Sequence, residues 1–125
     1  MHEMSLMAEV LRLVEEDAIE RGIVKVDRIS VIVGELSNVL PDALELAFCY
    51  FQKQECSLIS EKTKLAIIRE EAKARCKECR REFAPDYRIA LCPHCHQLNT
   101  EIISGESFQI ESYEGSESCE DNNGR

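Results

Sequence analysis

Residues 76–95 read CKECRREFAPDYRIALCPHC, and this stretch decides how the chain is organised. It contains two Cys-x-x-Cys pairs, Cys76/Cys79 and Cys92/Cys95, separated by 12 residues. Two cysteines at this spacing can direct both sulfurs at one ion from a single tight turn, and two such turns complete a tetrahedral site that suits zinc. A site closed by four thiolates has no open position. The sequence therefore predicts a structural zinc ion held by these four cysteines.

The residues before the cysteine pairs predict two amphipathic helices. Apolar side chains recur at spacings of three and four over residues 4–21, and Gly22 then ends the pattern. Pro41 suits the first turn of a second helix, where Asp42 meets the positive end of the helix dipole. We expect this second helix to bury a broad apolar face that comprises Leu44, Leu46, Ala47, Phe48 and Phe51.

Three strands are predicted in addition to these helices. Residues 27–34 alternate apolar and polar side chains, residues 63–72 are rich in Leu and Ile, and residues 107–113 complete the set. The segment with the cysteine pairs, 73–104, falls between the second and third strands. The sequence therefore predicts an α+β fold, in which two helices pack on a three-stranded sheet and a zinc-ribbon-like domain with four cysteine ligands is inserted into one connection.

This arrangement predicts three parts of the chain. Residues 1–72 together with 105–114 form the α+β base, residues 73–104 form the inserted zinc-binding domain, and residues 115–125 form a disordered acidic tail that contains Cys119. A module of about 30 residues buries too little surface to fold alone. Bound zinc is expected to supply its folding free energy, which is on the order of 10–16 kcal/mol in zinc-finger peptides.

The composition limits the classes of function. Acidic residues outnumber basic ones by 24 to 15, a formal net charge of -9, which disfavours nucleic acid as the main partner because binding phosphates requires clustered Lys and Arg. No apolar run approaches the ~20 residues of a membrane span, and no leader pattern precedes a cleavage site. Seven cysteines, four of them in metal-type pairs, fit a reducing compartment. We therefore expect a cytoplasmic protein in which Cys49 and Cys56 pack as small apolar groups.

The first three residues, Met1, His2 and Glu3, offer a second kind of metal site. The α-amino group of Met1, the next two backbone nitrogens and the His2 imidazole can converge on one cation. Such an all-nitrogen, square-planar set favours Ni(II) or Cu(II) over Zn(II), which prefers a tetrahedron. The carboxylate of Glu3 offsets the repulsion between a cation and the positive end of the first helix. A histidine at the second position is also common by chance, so an incidental His2 is the alternative.

The residues alone leave other functions open. One is a zinc-ribbon module that binds a protein or nucleic acid without nickel transfer, and another is a thiol oxidoreductase that uses one Cys-x-x-Cys pair. A hydrolase is disfavoured, because the sequence contains no His-Glu-x-x-His motif, nucleophile elbow or phosphate loop. His94 and His96 flank Cys95, and either is a candidate to exchange with a thiolate at the zinc as the pH falls.

Four stretches taken together resemble one family. They are MHEMSLM at the start, VGELSNVLPDALELAF at residues 33–48, the two cysteine pairs CKEC and CPHC, and SGESFQIESYE at residues 104–114. The combination closely resembles the HypA/HybF family of hydrogenase nickel-incorporation proteins, from Met1 to about Glu114. The acidic tail with Cys119 lies outside the shared pattern.

The resemblance implies a nickel metallochaperone, not an enzyme, that binds Ni(II) and delivers it during maturation of [NiFe] hydrogenase. It implies that the α+β base binds nickel through His2, supported by Met1 and Glu3, and that the insert binds zinc. The implied partners are a HypB-type nickel GTPase, the large subunit of [NiFe] hydrogenase and, in some members, urease maturation proteins. A homodimer is left open. The implied zinc ligands are Cys76, Cys79, Cys92 and Cys95.

Overall fold

The structure is a computed structural model that describes residues 3–54, 58–86 and 90–117. No helix within these ranges is long and apolar enough to cross a membrane. In chain order the elements are α1 (Glu3–Glu20), β1 (Lys25–Gly34), α2 (Pro41–Gln52), β2 (Lys64–Glu70), β3 (Lys73–Cys76), β4 (Glu82–Phe83), β5 (Thr100–Ser104) and β6 (Phe108–Ser116).

These strands form two sheets of three strands each. The first has the order β2-β1-β6 and the second the order β4-β3-β5. Both pairings in the second sheet are antiparallel, and Ala74 lies opposite Phe83 on β4 and opposite Ile102 on β5. The predicted α+β fold class is confirmed. The chain forms two helices and a three-stranded sheet, and the segment with the cysteine pairs lies between β2 and β6 in the sequence.

Helix α1 ends where the sequence predicts. Gly22 adopts a φ of 75°, the left-handed conformation that glycine reaches without a steric penalty. The Ile23 N–H then donates to the Ala18 carbonyl at 2.8 Å and the Gly22 N–H to the Ile19 carbonyl at 3.2 Å, which is the hydrogen-bond pattern of a Schellman cap. The buried face of α1 comprises Met7, Val10, Leu11, Val14 and Ala18.

Helix α2 buries a narrower face than the sequence predicts. Leu44, Ala47 and Phe48 are buried, whereas Leu46 is 72% exposed. At 100° per residue Leu46 lies roughly 200° from Leu44, on the opposite side of the helix. The prediction that Leu46 is buried is therefore wrong. Cys49 is also exposed rather than packed as a small apolar group, and Cys56 lies outside the described residues.

Strand β6 runs farther than its pattern predicts. It continues beyond Tyr113 to Ser116, whose carbonyl accepts a hydrogen bond from the Val24 N–H at 2.9 Å. A Cβ atom at Gly115 would come within 2.5 Å of a backbone oxygen of β1, so the close approach of the two chains here requires glycine. Residues 118–125 lie outside the described residues, and their disorder stays a prediction.

The described residues divide into two compact units. The first spans 3–31, 40–67 and 110–117 and contains both helices, while the second spans 32–39 and 68–109 and contains the second sheet and the cysteine pairs. Within the second unit the Leu36 N–H donates to the Gly105 carbonyl at 2.7 Å. The Ala72 N–H donates to Glu35 Oε1, also at 2.7 Å. The division into a base, an insert starting at residue 73 and a tail stays a prediction.

Candidate metal centre

The four cysteines predicted to bind zinc lie together. Their Sγ atoms are all within 4.8 Å of one another. The Cys76 and Cys95 sulfurs are 3.3 Å apart, and the Cys79 and Cys92 sulfurs 3.6 Å. A tetrahedral zinc ion with Zn–S bonds of about 2.3 Å requires sulfurs about 3.8 Å apart. The donor set and its dimensions therefore fit a four-coordinate zinc ion without rearrangement of the backbone.

The first pair is held in a tight turn that its own backbone closes. The Arg80 N–H donates to the Cys76 carbonyl at 2.8 Å, and the Cys76 N–H donates to the Arg81 carbonyl at 3.0 Å. Arg80 has a φ of 65°, in the left-handed region that side chains other than glycine rarely adopt. The turn thus brings Cys79 back over Cys76, at the cost of strain at Arg80.

The second pair repeats the same turn. The His96 N–H donates to the Cys92 carbonyl at 2.9 Å, the Cys92 N–H donates to the Gln97 carbonyl at 3.1 Å, and His96 has a φ of 58°. Each bond and each dihedral angle has its counterpart at the same distance along the chain from Cys76. Two equivalent turns that face each other present four sulfurs to one point, which is what a structural zinc site requires.

Backbone amides favour the thiolate form of the first cysteine in each turn. The amide of Cys95, followed by that of His94, donates to the Cys92 sulfur and lowers the pKa of Cys92 to about 6. The amide of Cys79 likewise lowers the pKa of Cys76. The hydrogen bond with Cys76, together with burial, raises the pKa of Cys95 to about 12. Zinc binding therefore releases protons from the tetrad, and the backbone amides favour the thiolate form of Cys92 over that of Cys95.

The second sheet anchors the first turn. Cys76 is the last residue of β3 and lies opposite Thr100 on β5. Just beyond, the Lys77 N–H donates to the Asn99 carbonyl at 2.9 Å, and the Asn99 side chain donates to Glu78 Oε2 at 2.8 Å. The first cysteine of each pair is fully buried and the second is half-buried. A zinc ion bound by all four thiolates would have no open position for an incoming molecule.

Both histidines beside the cysteines, His94 and His96, are exposed. The ring of His94 lies against the Arg81 guanidinium, with Nδ1 at 3.1 Å from the Arg81 Nη1. A ring nitrogen that faces a guanidinium must accept the hydrogen bond. His96 is exposed and occupies the strained position of its turn. Exchange of either ring into the zinc site stays a prediction.

Of the predicted nickel ligands, only Glu3 is among the described residues, because Met1 and His2 lie outside them. Glu3 is the first residue of α1, and its Oε2 accepts a hydrogen bond from the Leu40 N–H at 3.0 Å. Leu40 is the N-cap residue of α2 and makes no side-chain capping bond. In a capping box the backbone N–H of the N-cap residue donates to a carboxylate three residues later in the sequence. In α2 that later position is Ala43, which has no carboxylate. Glu3 supplies the missing carboxylate from the other helix.

Sequence patterns missed this use of Glu3. The one available signal was the absence of a polar side chain at Leu40 and of Glu or Gln at Ala43, which leaves the start of α2 without a local cap. The strained positions Arg80 and His96 were also missed, since glycine would be the expected residue at both.

Comparison with known proteins supports the same family as the sequence motifs. The family described as "Hydrogenase/urease nickel incorporation, metallochaperone, hypA" matches residues 1–115. A protein named Hydrogenase maturation factor HypA from Moorella thermoacetica is 40% identical over 115 residues, or 92% of this chain and 99% of that protein. Another of that name from Aquifex aeolicus is 37% identical over 114 residues, or 91% of this chain and 96% of that protein.

A solved structure is also similar. The solution structure of the Ni metallochaperone HypA from Helicobacter pylori matches with a TM-score of 0.65 at 29% identity, and the match covers 94% of this chain and 100% of that one. The resemblance inferred from the motifs is thus confirmed in sequence and in fold. The chain belongs to the HypA family of hydrogenase and urease nickel-incorporation metallochaperones.

Proposed function

We propose that this protein is a nickel metallochaperone that binds Ni(II) and delivers it during maturation of [NiFe] hydrogenase, and that a zinc ion held by the four cysteines serves only structure. The observation that carries the proposal is the closed tetrad of sulfurs, all within 4.8 Å of one another, in a chain of this family. A site without an open position retains its ion, so a transferable ion has to be held elsewhere. On this proposal the protein is not an enzyme.

We place the nickel at the start of the chain. The proposed ligands are the α-amino group of Met1, the imidazole of His2 and the backbone nitrogens up to Glu3, a set that favours a square-planar ion. Support comes from the position of Glu3 at the first residue of α1. The first amides of a helix have no intrahelical acceptor, so a deprotonated amide there breaks no helical hydrogen bond. The side chain of Glu3 supplies negative charge beside the ion.

The proposed partners follow from the family and from this chemistry. They are a HypB-type nickel GTPase and the large subunit of [NiFe] hydrogenase, with urease maturation proteins as further recipients, all in the cytoplasm. An ion held by few side chains at a chain end can pass to an acceptor by stepwise ligand exchange. The base, comprising residues 1–72 and 105–114, would carry the nickel, and residues 73–104 would carry the zinc.

Isothermal titration of Ni(II) into zinc-loaded protein that starts at Met1 tests the proposal. We expect one nickel site in the wild type, its loss in His2→Ala, and an unchanged zinc content in both. His96→Asn is the matched control, because it removes another exposed histidine and asparagine tolerates a left-handed backbone. Nickel binding that survives His2→Ala unchanged would show that the ligands are wrongly assigned.

The same titration separates the proposal from its rival. A zinc-loaded wild type that takes up no nickel would favour a zinc-ribbon module that binds a protein or nucleic acid. An N-terminal extension that removes the free amine is expected to weaken nickel binding. Affinity should also rise with pH, because the amine and the amides must lose protons to bind the ion.

A further inference from the structure

The four cysteines of the tetrad differ in their access to solvent. Cys76 and Cys92, the first cysteine of each turn, are 0% exposed, whereas Cys79 and Cys95 are half-buried. Each turn therefore has one sulfur that a small molecule can reach and one that it cannot. The thiolate is the form of cysteine that binds metal, and it is also the form that reacts with oxidants. The difference in access therefore determines which sulfur of each turn an oxidant meets first.

The accessible sulfurs lie beside positive charge. Arg80 and Arg81 directly follow Cys79, both are exposed, and neither forms an ion pair with any residue in the described part of the chain. The Arg81 guanidinium reaches the second turn, where its Nη1 lies 3.1 Å from Nδ1 of His94, the residue before Cys95. Partial exposure beside a cation is typical of cysteines that react with oxidants, because the cation stabilises the thiolate. Cys79 and Cys95 combine both conditions.

Each accessible sulfur lies close to the buried sulfur of the other turn. The Sγ atoms of Cys95 and Cys76 are 3.3 Å apart, and those of Cys79 and Cys92 are 3.6 Å apart. A disulfide has an S–S distance of about 2.05 Å, so an approach of about 1.3–1.6 Å brings either pair to bonding distance. This approach moves one turn toward the other and leaves the backbone hydrogen bonds within each turn in place.

We propose that Cys79 and Cys95 are sites of oxidation by hydrogen peroxide, and that the product is a disulfide between the turns, Cys76–Cys95 or Cys79–Cys92, with loss of zinc. The half-buried thiolate attacks one peroxide oxygen, the O–O bond breaks, and a sulfenic acid and a hydroxide ion form. The buried thiolate of the other turn then attacks the oxidised sulfur, which forms the S–S bond and releases a second hydroxide ion. Two protons convert both hydroxide ions to water. Two thiolates and one peroxide thus yield one disulfide and two water molecules.

The disulfide removes two of the four zinc ligands. Two remaining thiolates are too few for a structural zinc site, so the ion leaves. A disulfide between the turns keeps them together after the ion has left, whereas disulfides within the turns would leave them unconnected. We therefore expect zinc to bind again once the disulfide is reduced. This oxidation depends on the zinc site of the proposed function but not on nickel transfer.

Treatment of the full, zinc-loaded chain with hydrogen peroxide tests the proposal. A chromogenic chelator measures the zinc that is released, and we expect release in step with disulfide formation and rebinding of most of the zinc after reduction with dithiothreitol. Cys49→Ser is the matched control, because it removes an exposed thiol outside the tetrad and should leave zinc release unchanged. The zinc content is measured before treatment. A chain that holds no zinc would contradict the zinc site itself, and this oxidation with it.

Mass spectrometry of tryptic peptides, prepared without reduction, identifies the bonded cysteines. Cleavage after Lys77 separates Cys76 from Cys79, and cleavage after Arg88 separates both from the second turn. A disulfide between the turns joins a peptide of the first turn to the peptide of the second, and fragmentation of the joined peptides assigns the two cysteines. In a zinc-loaded chain, disulfides within the turns, zinc release without a disulfide, or retention of zinc when Cys49 is fully oxidised would each overturn the proposal.

Discussion

The Glu3 carboxylate accepts a hydrogen bond from the Leu40 N–H at 3.0 Å, so the first residue of α1 caps the start of α2. The contact joins residues 37 positions apart and replaces the local capping box that Ala43 cannot provide. Glu3 thereby links the start of α1 to the start of α2. The same residue follows directly on the proposed nickel ligand His2, so its structural and electrostatic roles need to be separated.

Glu3→Ala and Glu3→Gln separate the two roles. Alanine removes the acceptor for the Leu40 N–H and is expected to lower the free energy of unfolding by about 1 kcal/mol, whereas glutamine keeps an acceptor oxygen and should cost less. Urea denaturation measures the stability, and hydrogen exchange of the Leu40 amide reports the bond itself. Equal stability of Glu3→Ala and wild type would show that the contact contributes nothing. If Glu3→Gln binds nickel more weakly at unchanged stability, the negative charge of Glu3 contributes to nickel binding rather than to the stability of the fold.

Removal of zinc is expected to unfold the second sheet. The sheet consists of three strands of five residues or fewer, and the cysteines Cys76 and Cys92 are fully buried in the same unit. Chelation, or Cys92→Ser, should therefore abolish amide protection in β3 and β5, since the metal supplies on the order of 10–16 kcal/mol in isolated zinc fingers. The amides of α1 serve as the internal reference and should stay protected. Loss of protection throughout the chain would contradict the predicted independence of the base.

The left-handed residues of the two cysteine turns give a third prediction. Replacing Arg80 by valine, which disfavours positive φ most, should lower the free energy of unfolding by about 1–2 kcal/mol and weaken zinc retention, while Arg80→Gly should be tolerated. Lys77→Val is the matched control, because Lys77 is an exposed cation of the same turn without a positive φ. Competition for zinc with a chromogenic chelator measures the effect. Equal zinc retention in the Arg80→Val and Lys77→Val variants would show that the strain is not important.

The features of the structure that could be predicted from the sequence are those determined by residues close to one another in the chain. The zinc ligands are predictable because a spacing of two residues between cysteines lets both sulfurs bind one ion. The end of α1 at Gly22 is predictable because a single residue with positive φ ends a helix. The Glu3–Leu40 hydrogen bond could not be predicted in this way, because it joins residues 37 positions apart. Leu46 was misassigned because hydrophobicity alone does not show which side of a helix packs against the core. Strands β3 and β5 are too short to show an alternation of apolar and polar residues in the sequence. They pair with each other next to the cysteine turns.

The contact between Tyr113 and Asp17 gives a pH-dependent prediction. The Tyr113 hydroxyl donates to Asp17 Oδ2, and the Arg21 Nε donates to the same oxygen at 2.8 Å. The hydrogen bond from Tyr113 and then that from Arg21 lower the pKa of Asp17. A carboxyl with a lowered pKa stabilises the fold above its unfolded pKa of about 3.9, and this contribution disappears as the pH falls through the folded value.

Tyr113→Phe should therefore be less stable than wild type near pH 7, and the difference should shrink as the pH falls below about 4. Thermal denaturation of both proteins between pH 3 and 7 measures it. Tyr50→Phe is the matched control, because the Tyr50 hydroxyl makes no such contact with a carboxylate among the described residues and its stability difference should not vary with pH in this way. A Tyr113→Phe difference that stays constant down to pH 3 would show that the hydroxyl does not stabilise the Asp17 carboxylate.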